Sequence, residues 1–190
     1  MSTKKINSKI KSSLVIILLA LLFLTCKSKN HESDDYQILS AVLNSSFGNE
    51  SDEENGLYWI DETKNYHSLL LLNHTNLIEP DLEMINIHLT FGNVPGFSLN
   101  DFKKKHRWDI EKINDFNRYT LEVKTNQKIK TPYIGMVQIS AISYNKNMDE
   151  AIVYTSFLCA GNGECGVGLL FHLKKRGKWV VTETDELWSA

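Results

Sequence analysis

An unbroken apolar run at residues 14–24 is the feature that most constrains the beginning of this 190-residue chain. Eleven helical residues cover about 16 Å at ~1.5 Å each. A bilayer core is about 30 Å thick and needs ~20 residues, so the run is too short for a comfortable permanent span. Lys4, Lys5, Lys9 and Lys11 precede it without any acidic residue. A basic head before a short apolar run predicts an export signal. The alternative is a short membrane anchor that is never cleaved.

Composition places the rest of the chain among ordinary globular proteins. Hydrophobic residues make up 42% of the chain and charged residues 23%, close to the usual values. These values exclude a collagen-like, disordered or disulfide-dense chain and a polytopic membrane protein. Of the 21 basic residues, four precede the apolar run, whereas all 23 acidic residues follow it. The remainder is therefore acidic, which argues against a nucleic-acid partner.

A lone cysteine, Cys26, stands where the apolar run ends and directly follows the small residue Thr25. The order Leu-Phe-Leu-Thr-Cys at residues 22–26 resembles the lipobox of bacterial lipoproteins. Phe23 and Leu24 depart from its commonest form, which has Leu at the −3 position and a small residue at −2. The resemblance implies that residues 1–25 are cleaved and that the Cys26 thiol, a strong nucleophile, is alkylated with diacylglycerol. The alternative is a plain secretory signal with an incidental cysteine.

The same resemblance implies a location. Two or three acyl chains of the palmitate type, at ~0.8 kcal/mol per buried CH₂, would anchor the protein firmly to a membrane. Lys27 stands where enteric lipoproteins retained in the inner membrane carry an aspartate. The resemblance therefore implies the outer membrane of the cell envelope, with the folded part on the periplasmic or surface face.

Residues 26–35 are predicted to form a lipidated tether, and residues 36–190 a single globular domain. The tether after Cys26 holds no apolar residue that could pack into a core, and we interpret its His31 as solvated. Apolar residues at steps of three and four predict a helix capped by Asp34 or Asp35; they are Tyr36, Leu39, Val42, Leu43 and Phe47. Residues 49–56 are acidic but lack the spacing of a calcium-binding EF-hand loop, which favours a solvated loop.

Further along the chain the pattern alternates between short helices and strands. Residues 57–60 and 69–72 are predicted strands, the second covered on both faces. Residues 80–83 are expected to open a short helix and residues 85–91 to be extended. A helix is predicted over residues 98–105, with Ser98 as its N-cap. The basic residues at its end complement the helix dipole, the alternative being a phosphate, lipid-headgroup or nucleic-acid site; they are Lys103, Lys104, Lys105 and Arg107.

The clearest pattern lies in the last 75 residues. Strands are predicted over residues 119–123, 133–144, 150–159 and 167–174, and a fifth contains Trp179 and Val181. Strands joined by such short links are expected to run mostly antiparallel. The predicted fold class is therefore α+β, an antiparallel meander of about five strands with one to three helices packed on one side.

Two cysteines remain in the exported part, and each ends one arm of a predicted hairpin. Antiparallel strand ends lie close enough for a disulfide between Cys159 and Cys165, and export would place them in an oxidising compartment. The alternatives are a redox pair and a metal site that includes His172. Redox pairs usually show C-x-x-C at a helix start, and zinc favours tighter cysteine spacing. The nearby glycines are attributed to the conformational needs of a bridged hairpin, the alternative being close approach of a ligand to the backbone; they are Gly161, Gly163, Gly166 and Gly168.

The C-terminal part also resembles a recurrent block of uncharacterised bacterial lipoproteins. That resemblance supplies fold context and no activity. The matching positions are residues 151–154, Cys159, residues 165–166, Gly168, residues 177–179 and residues 188–189.

The chain shows no G-x-S-x-G or H-E-x-x-H motif, and no spacing singles out a catalytic triad. We interpret His67, His74 and His88 as ordinary surface or core histidines, and we expect no metal and no cofactor. The leading hypothesis is a lipid-anchored, non-catalytic module that binds an envelope protein or a small ligand, with no nucleic-acid partner. The alternatives are a tethered periplasmic hydrolase whose triad comes from distant segments, and an inhibitor or immunity-type protein.

Overall fold

A computed structural model of the chain describes residues 32–47, 67–72, 74–91, 94–124, 132–160 and 165–190. The chain divides into two compact units, residues 1–36 and residues 37–190. Of the first unit, residues 32–36 are described, and they are helical. The export signal, Cys26, His31, the acidic segment 49–56 and the expected strand 57–60 lie outside the described residues. Within the described ranges, no helix is both long and apolar enough to cross a membrane.

In the residues that the structure describes, three α-helices and one 3-10 turn accompany the sheet. Helix α1 covers residues 32–47, α2 is Glu79–Phe91, α3 is Leu99–Phe102 and η1 is Ile110–Lys112. Because α1 includes positions 34 and 35, both aspartates lie inside the helix, and their predicted capping role is wrong. The predicted cap of α3 is confirmed, since the Ser98 hydroxyl accepts a hydrogen bond from Asn100 N. That helix is shorter than predicted, because Lys103 is already its C-cap.

Seven strands form one mixed sheet in the order β2-β1-β3-β5-β6-β7, with β4 pairing β5. Strands β3, β5, β6 and β7 form an antiparallel meander, whereas β1 pairs in parallel with both β2 and β3. The α+β class and the antiparallel C-terminal meander are confirmed, but the described sheet has seven strands rather than about five, and its N-terminal strands pair in parallel. The strands are β1 Ser68–Leu72, β2 Thr120–Val123, β3 Tyr133–Ile139, β4 Ser143–Tyr144, β5 Glu150–Cys159, β6 Gly166–Arg176 and β7 Lys178–Ser189.

The parallel pairings arise because β1 lies between β2 and β3. The link at residues 124–132 is short, yet the strands that it joins are not neighbours, so the expectation of an antiparallel pair fails there. Leu69, Leu70 and Leu71 are fully buried, which confirms a strand covered on both faces. Such a continuous apolar run is typical of a parallel strand with both faces packed.

Helices pack on both faces of the sheet, which corrects the expectation of one covered side. On β5, Ile152 and Tyr154 belong to a core cluster with Leu82 and Ile85 of α2. Phe157 lies an odd number of residues from Tyr154 in a strand with continuous register, so it points to the opposite face. There its ring centroid is 5.4 Å from that of Phe47, in α1.

Residues 85–91 are helical, although an extended segment was predicted for them from the sequence. Their β-branched residues favour a strand by propensity. Packing decides otherwise, because Leu82 and Ile85 recur at helical spacing and bury against the sheet. Helix α2 consequently runs for 13 residues across one face of the sheet.

Candidate functional site

One side of α2 carries polar residues to the sheet at both ends of its buried apolar contact. Asp81, Ile85 and His88 are spaced four and three residues apart, so they lie on one face of the helix. Ile85 is fully buried in the middle. The two polar residues each meet a separate group of side chains on β5, β6 and β7.

The first group is a buried chain of hydrogen bonds through Tyr154. The Tyr154 hydroxyl donates to Asp81 Oδ1 at 2.6 Å and accepts from Trp188 Nε1 at 2.8 Å. Tyr154 is fully buried, and Asp81 is 6% exposed. Burial, reinforced by the hydrogen bond to Asp81, raises the pKa of Tyr154 far above its usual value, against a smaller lowering by Trp188. The Tyr154 phenol therefore stays protonated, and its hydrogen bonds hold α2 against the sheet.

The second group brings two imidazoles onto one carboxylate oxygen. Asp185 Oδ2 lies 3.2 Å from His88 Nε2 and 3.0 Å from His172 Nε2. The two imidazole rings have centroids 6.2 Å apart and planes inclined at 60°. The side chains of His88, His172 and Asp185 are 24%, 17% and 28% exposed. We call these three residues the His-Asp cluster; they come from α2, β6 and β7.

One atom of the His-Asp cluster is left without a hydrogen bond. His172 Nε2 is shielded from solvent and has no hydrogen-bond partner, although it is close to Asp185. A buried polar atom left in this state costs about 1–3 kcal/mol. Two imidazole nitrogens and a carboxylate oxygen are also donor atoms that divalent transition metals accept, and the three atoms lie within 4.8 Å of one another.

Two β-bulges in β7 bring the groups to the same face. Leu170 pairs with Asp185 and Gly168 pairs with Trp188, so β7 has one more residue than β6 between these pairs. A second register shift lies between His172 and Leu173. Bulges change which face of a sheet a side chain points to. Asp185 and Trp188, three positions apart, therefore both face α2.

The structure joins the two C-terminal cysteines. Cys159 and Cys165 form a disulfide with their Cα atoms 5.6 Å apart. It closes the link between β5 and β6, and Cys159 N donates to Cys165 O at 3.2 Å. The alternative of a metal site shared with His172 is not what the structure places there, because His172 lies in the His-Asp cluster.

The remaining residues that the sequence singled out lie apart from α2. His67 and His74 are exposed beside β1. The basic segment at residues 103–107 is exposed and follows α3, and its Lys104 Nζ is 2.7 Å from Asp101 Oδ1. That ion pair agrees with a role in complementing the helix end.

A shallow hollow of about 370 Å³ lies beside the edge strand β2. Ile113, Phe116 and Leu121 supply its apolar lining, and Glu111 is its one charged lining residue. The hollow has fewer polar groups that could orient a ligand than the side of α2 has, so the His-Asp cluster is the stronger candidate site.

The sequence did not reveal Asp185 as a site residue, His88 was interpreted as an ordinary histidine, and His172 was considered only as a metal ligand beside the two cysteines. A weak signal was present, since His172 and Leu170 share a strand face that alternates with Leu169, Phe171 and Leu173. The bulges and the length of α2 had no sequence signature that could complete the group.

The chain matches no protein-family model, no curated protein and no solved structure.

Proposed function

We propose that this chain is an exported lipoprotein anchored through Cys26, whose folded domain is a non-catalytic binding module of the cell envelope. The observation that carries the proposal is the basic head, the apolar run at residues 14–24 and the cysteine that ends it. Cys26 lies where the apolar run would leave the bilayer, so a lipid can reach its thiol. Lys27, in place of aspartate, favours the outer membrane.

The His-Asp cluster supports binding rather than nucleophilic catalysis. Its members are two imidazoles and one carboxylate, which is a set of ligand atoms without a hydroxyl or thiol to attack a substrate. Their side chains are 17–28% exposed, so the cluster is partly accessible from solvent.

Acyl labelling of the full chain in bacterial cells tests the proposal. We expect the wild-type protein to incorporate labelled palmitate and to fractionate with the outer membrane. Globomycin, which blocks cleavage of lipoprotein signals, should cause the lipidated precursor to accumulate. Cys26→Ser should abolish the label, because no other residue would carry the thioether.

The control is Cys159→Ser combined with Cys165→Ser, which removes the other two cysteines and should leave labelling unchanged. Mass spectrometry of the mature N-terminus completes the test. An unmodified Cys26, or an uncleaved leader in cells without globomycin, would contradict the proposal.

A further inference from the structure

We infer that His88, His172 and Asp185 form a binding site for a divalent transition metal ion, with Zn²⁺ as its representative ligand. The inference rests on the proposed function, in that it names the ligand of the binding module. It departs from the expectation from sequence that the chain has no metal site.

The first argument is the convergence of donor atoms from three separate elements. His88 Nε2 and His172 Nε2 lie 3.2 and 3.0 Å from the same oxygen, Asp185 Oδ2. Around a tetrahedral zinc with bonds of about 2.0–2.2 Å, neighbouring ligand atoms are separated by about 3.3–3.5 Å. Small rotations of the side chains would therefore accommodate an ion between the three atoms.

The second argument is the state of His172. Its Nε2 is closed off from solvent and lacks a hydrogen bond, and it lies within 4.8 Å of the donor atoms of His88 and Asp185. A neutral imidazole nitrogen offers a lone pair, which a metal ion can accept and a carboxylate oxygen cannot. Native structures rarely leave such an atom unsatisfied.

The third argument is charge. Asp185 brings one negative charge to two imidazoles that bind metal in their neutral form. A dication is attracted to this arrangement, and the low exposure of the three side chains weakens solvent screening. Three protein ligands leave a fourth position for a ligand from solvent, as in open zinc sites.

The set of ligand types selects the class of ion. Imidazole suits zinc, copper, iron and nickel, whereas calcium and magnesium favour all-oxygen ligands. Mg²⁺ and Ca²⁺ are therefore matched negative probes for the same site.

The test is Zn²⁺ binding by the full chain, purified in detergent without a histidine tag and stripped with a chelator. Isothermal titration and thermal unfolding should show one Zn²⁺ bound per chain and a raised Tm, with no response to Mg²⁺. His88→Gln and Asp185→Asn should each weaken Zn²⁺ affinity by more than about 100-fold, since even outer-shell changes cost about 10–100-fold. Co²⁺ should give the visible absorption of a bound ion in the wild type, and this absorption should weaken in both variants.

His67→Gln is the matched control, because it removes an exposed histidine beside β1 and should leave Zn²⁺ affinity unchanged. Far-UV circular dichroism of the metal-free variants shows that they are folded. Absence of Zn²⁺ binding by the wild type, or equal affinity after His88→Gln, would overturn the inference and leave the cluster as a structural His-Asp pair. The acyl state of Cys26 is read in the same sample by mass spectrometry, so failure of the anchor and failure of the metal site are separate results.

Discussion

At Gly168, the missing side chain makes room for an indole. A Cβ built at this position would overlap Trp188 Nε1 and sit 2.5 Å from Trp188 Cδ1. The described glycines with positive φ are Gly96 and Gly177, so Gly168 does not need an unusual backbone angle. The expectation that a bridged hairpin requires this glycine for its conformation is therefore wrong. The glycine lets Trp188 lie flat on the sheet and reach Tyr154.

Gly168→Ala should lower the free energy of unfolding by about 1–3 kcal/mol, the usual effect of overfilling a packed site. Urea denaturation measures the change. The same substitution in a Trp188→Ala background should have little effect, because the group that the new methyl displaces is gone. An equal loss in both backgrounds would mean that the indole is not the cause.

The buried Tyr154 predicts that the folded protein loses stability at alkaline pH. Its pKa is raised in the folded protein above the ordinary value of 10.0 by burial and by the Asp81 hydrogen bond. Above about pH 10 the unfolded chain releases this proton and the folded chain keeps it, so stability falls as pH rises. One proton corresponds to a slope of up to about 1.4 kcal/mol per pH unit.

The measurement is urea denaturation between about pH 9 and pH 11. Other tyrosines and lysines titrate there too, so the wild type is compared with Tyr154→Phe, which should show a shallower decline. Tyr119→Phe, which keeps the ring that lies under Arg118, should follow the wild type. Parallel pH profiles of the wild type and Tyr154→Phe would refute the shifted titration.

At the scale of elements, local pattern predicted the C-terminal hairpins better than the central part. Strand β5 matches its predicted bounds, and β6 and β7 form a hairpin whose turn contains Gly177, where a φ of 78° suits glycine. Residues 85–91 failed because burial against β5 overrode strand propensity. The parallel pairing of β1 failed for a different reason: no short-range signal tells a strand which distant partner it will have.

The disulfide closes the β5–β6 hairpin and should stabilise it by about 2 kcal/mol, the entropy expected for so small a loop. Replacing both Cys159 and Cys165 with alanine should lower the free energy of unfolding by that amount. A phosphine reductant should lower wild-type stability equally and leave the double variant unaffected. If the reductant changed the double variant as well, the effect would not come from this bridge.

Across the whole molecule, the His-Asp cluster depends on features that sequence does not reveal. His88 lies far from His172 and Asp185 in the sequence, and the three residues meet through the length of α2 and the register shifts of β7. The Cys159–Cys165 pair could be found because its partners are six residues apart. Contacts between residues close in the sequence can be predicted for this chain, whereas the convergence of distant residues cannot.

The sheet separates two packed faces, and this arrangement predicts how distant substitutions combine. Phe47 packs beside Phe157 on one face, whereas Tyr154 contacts Asp81 on the other. Phe47→Leu should cost less than the roughly 3–5 kcal/mol of truncation to alanine. Combined with Tyr154→Phe, the two losses should add to within about 0.5 kcal/mol, because the sites share no partner.

The pair on a single face should behave differently. Asp81→Asn with Tyr154→Phe removes both ends of one hydrogen bond, so the double variant should lose less than the two single losses combined, by about 0.5–3 kcal/mol. Urea denaturation of all five variants at one pH measures both cycles together. A coupling between Phe47 and Tyr154 as large as that between Asp81 and Tyr154 would show that strain crosses the sheet. Additivity across it would mean that α1 and α2 stabilise the domain independently, which leaves the α2 side free to respond to a ligand without loosening the opposite core.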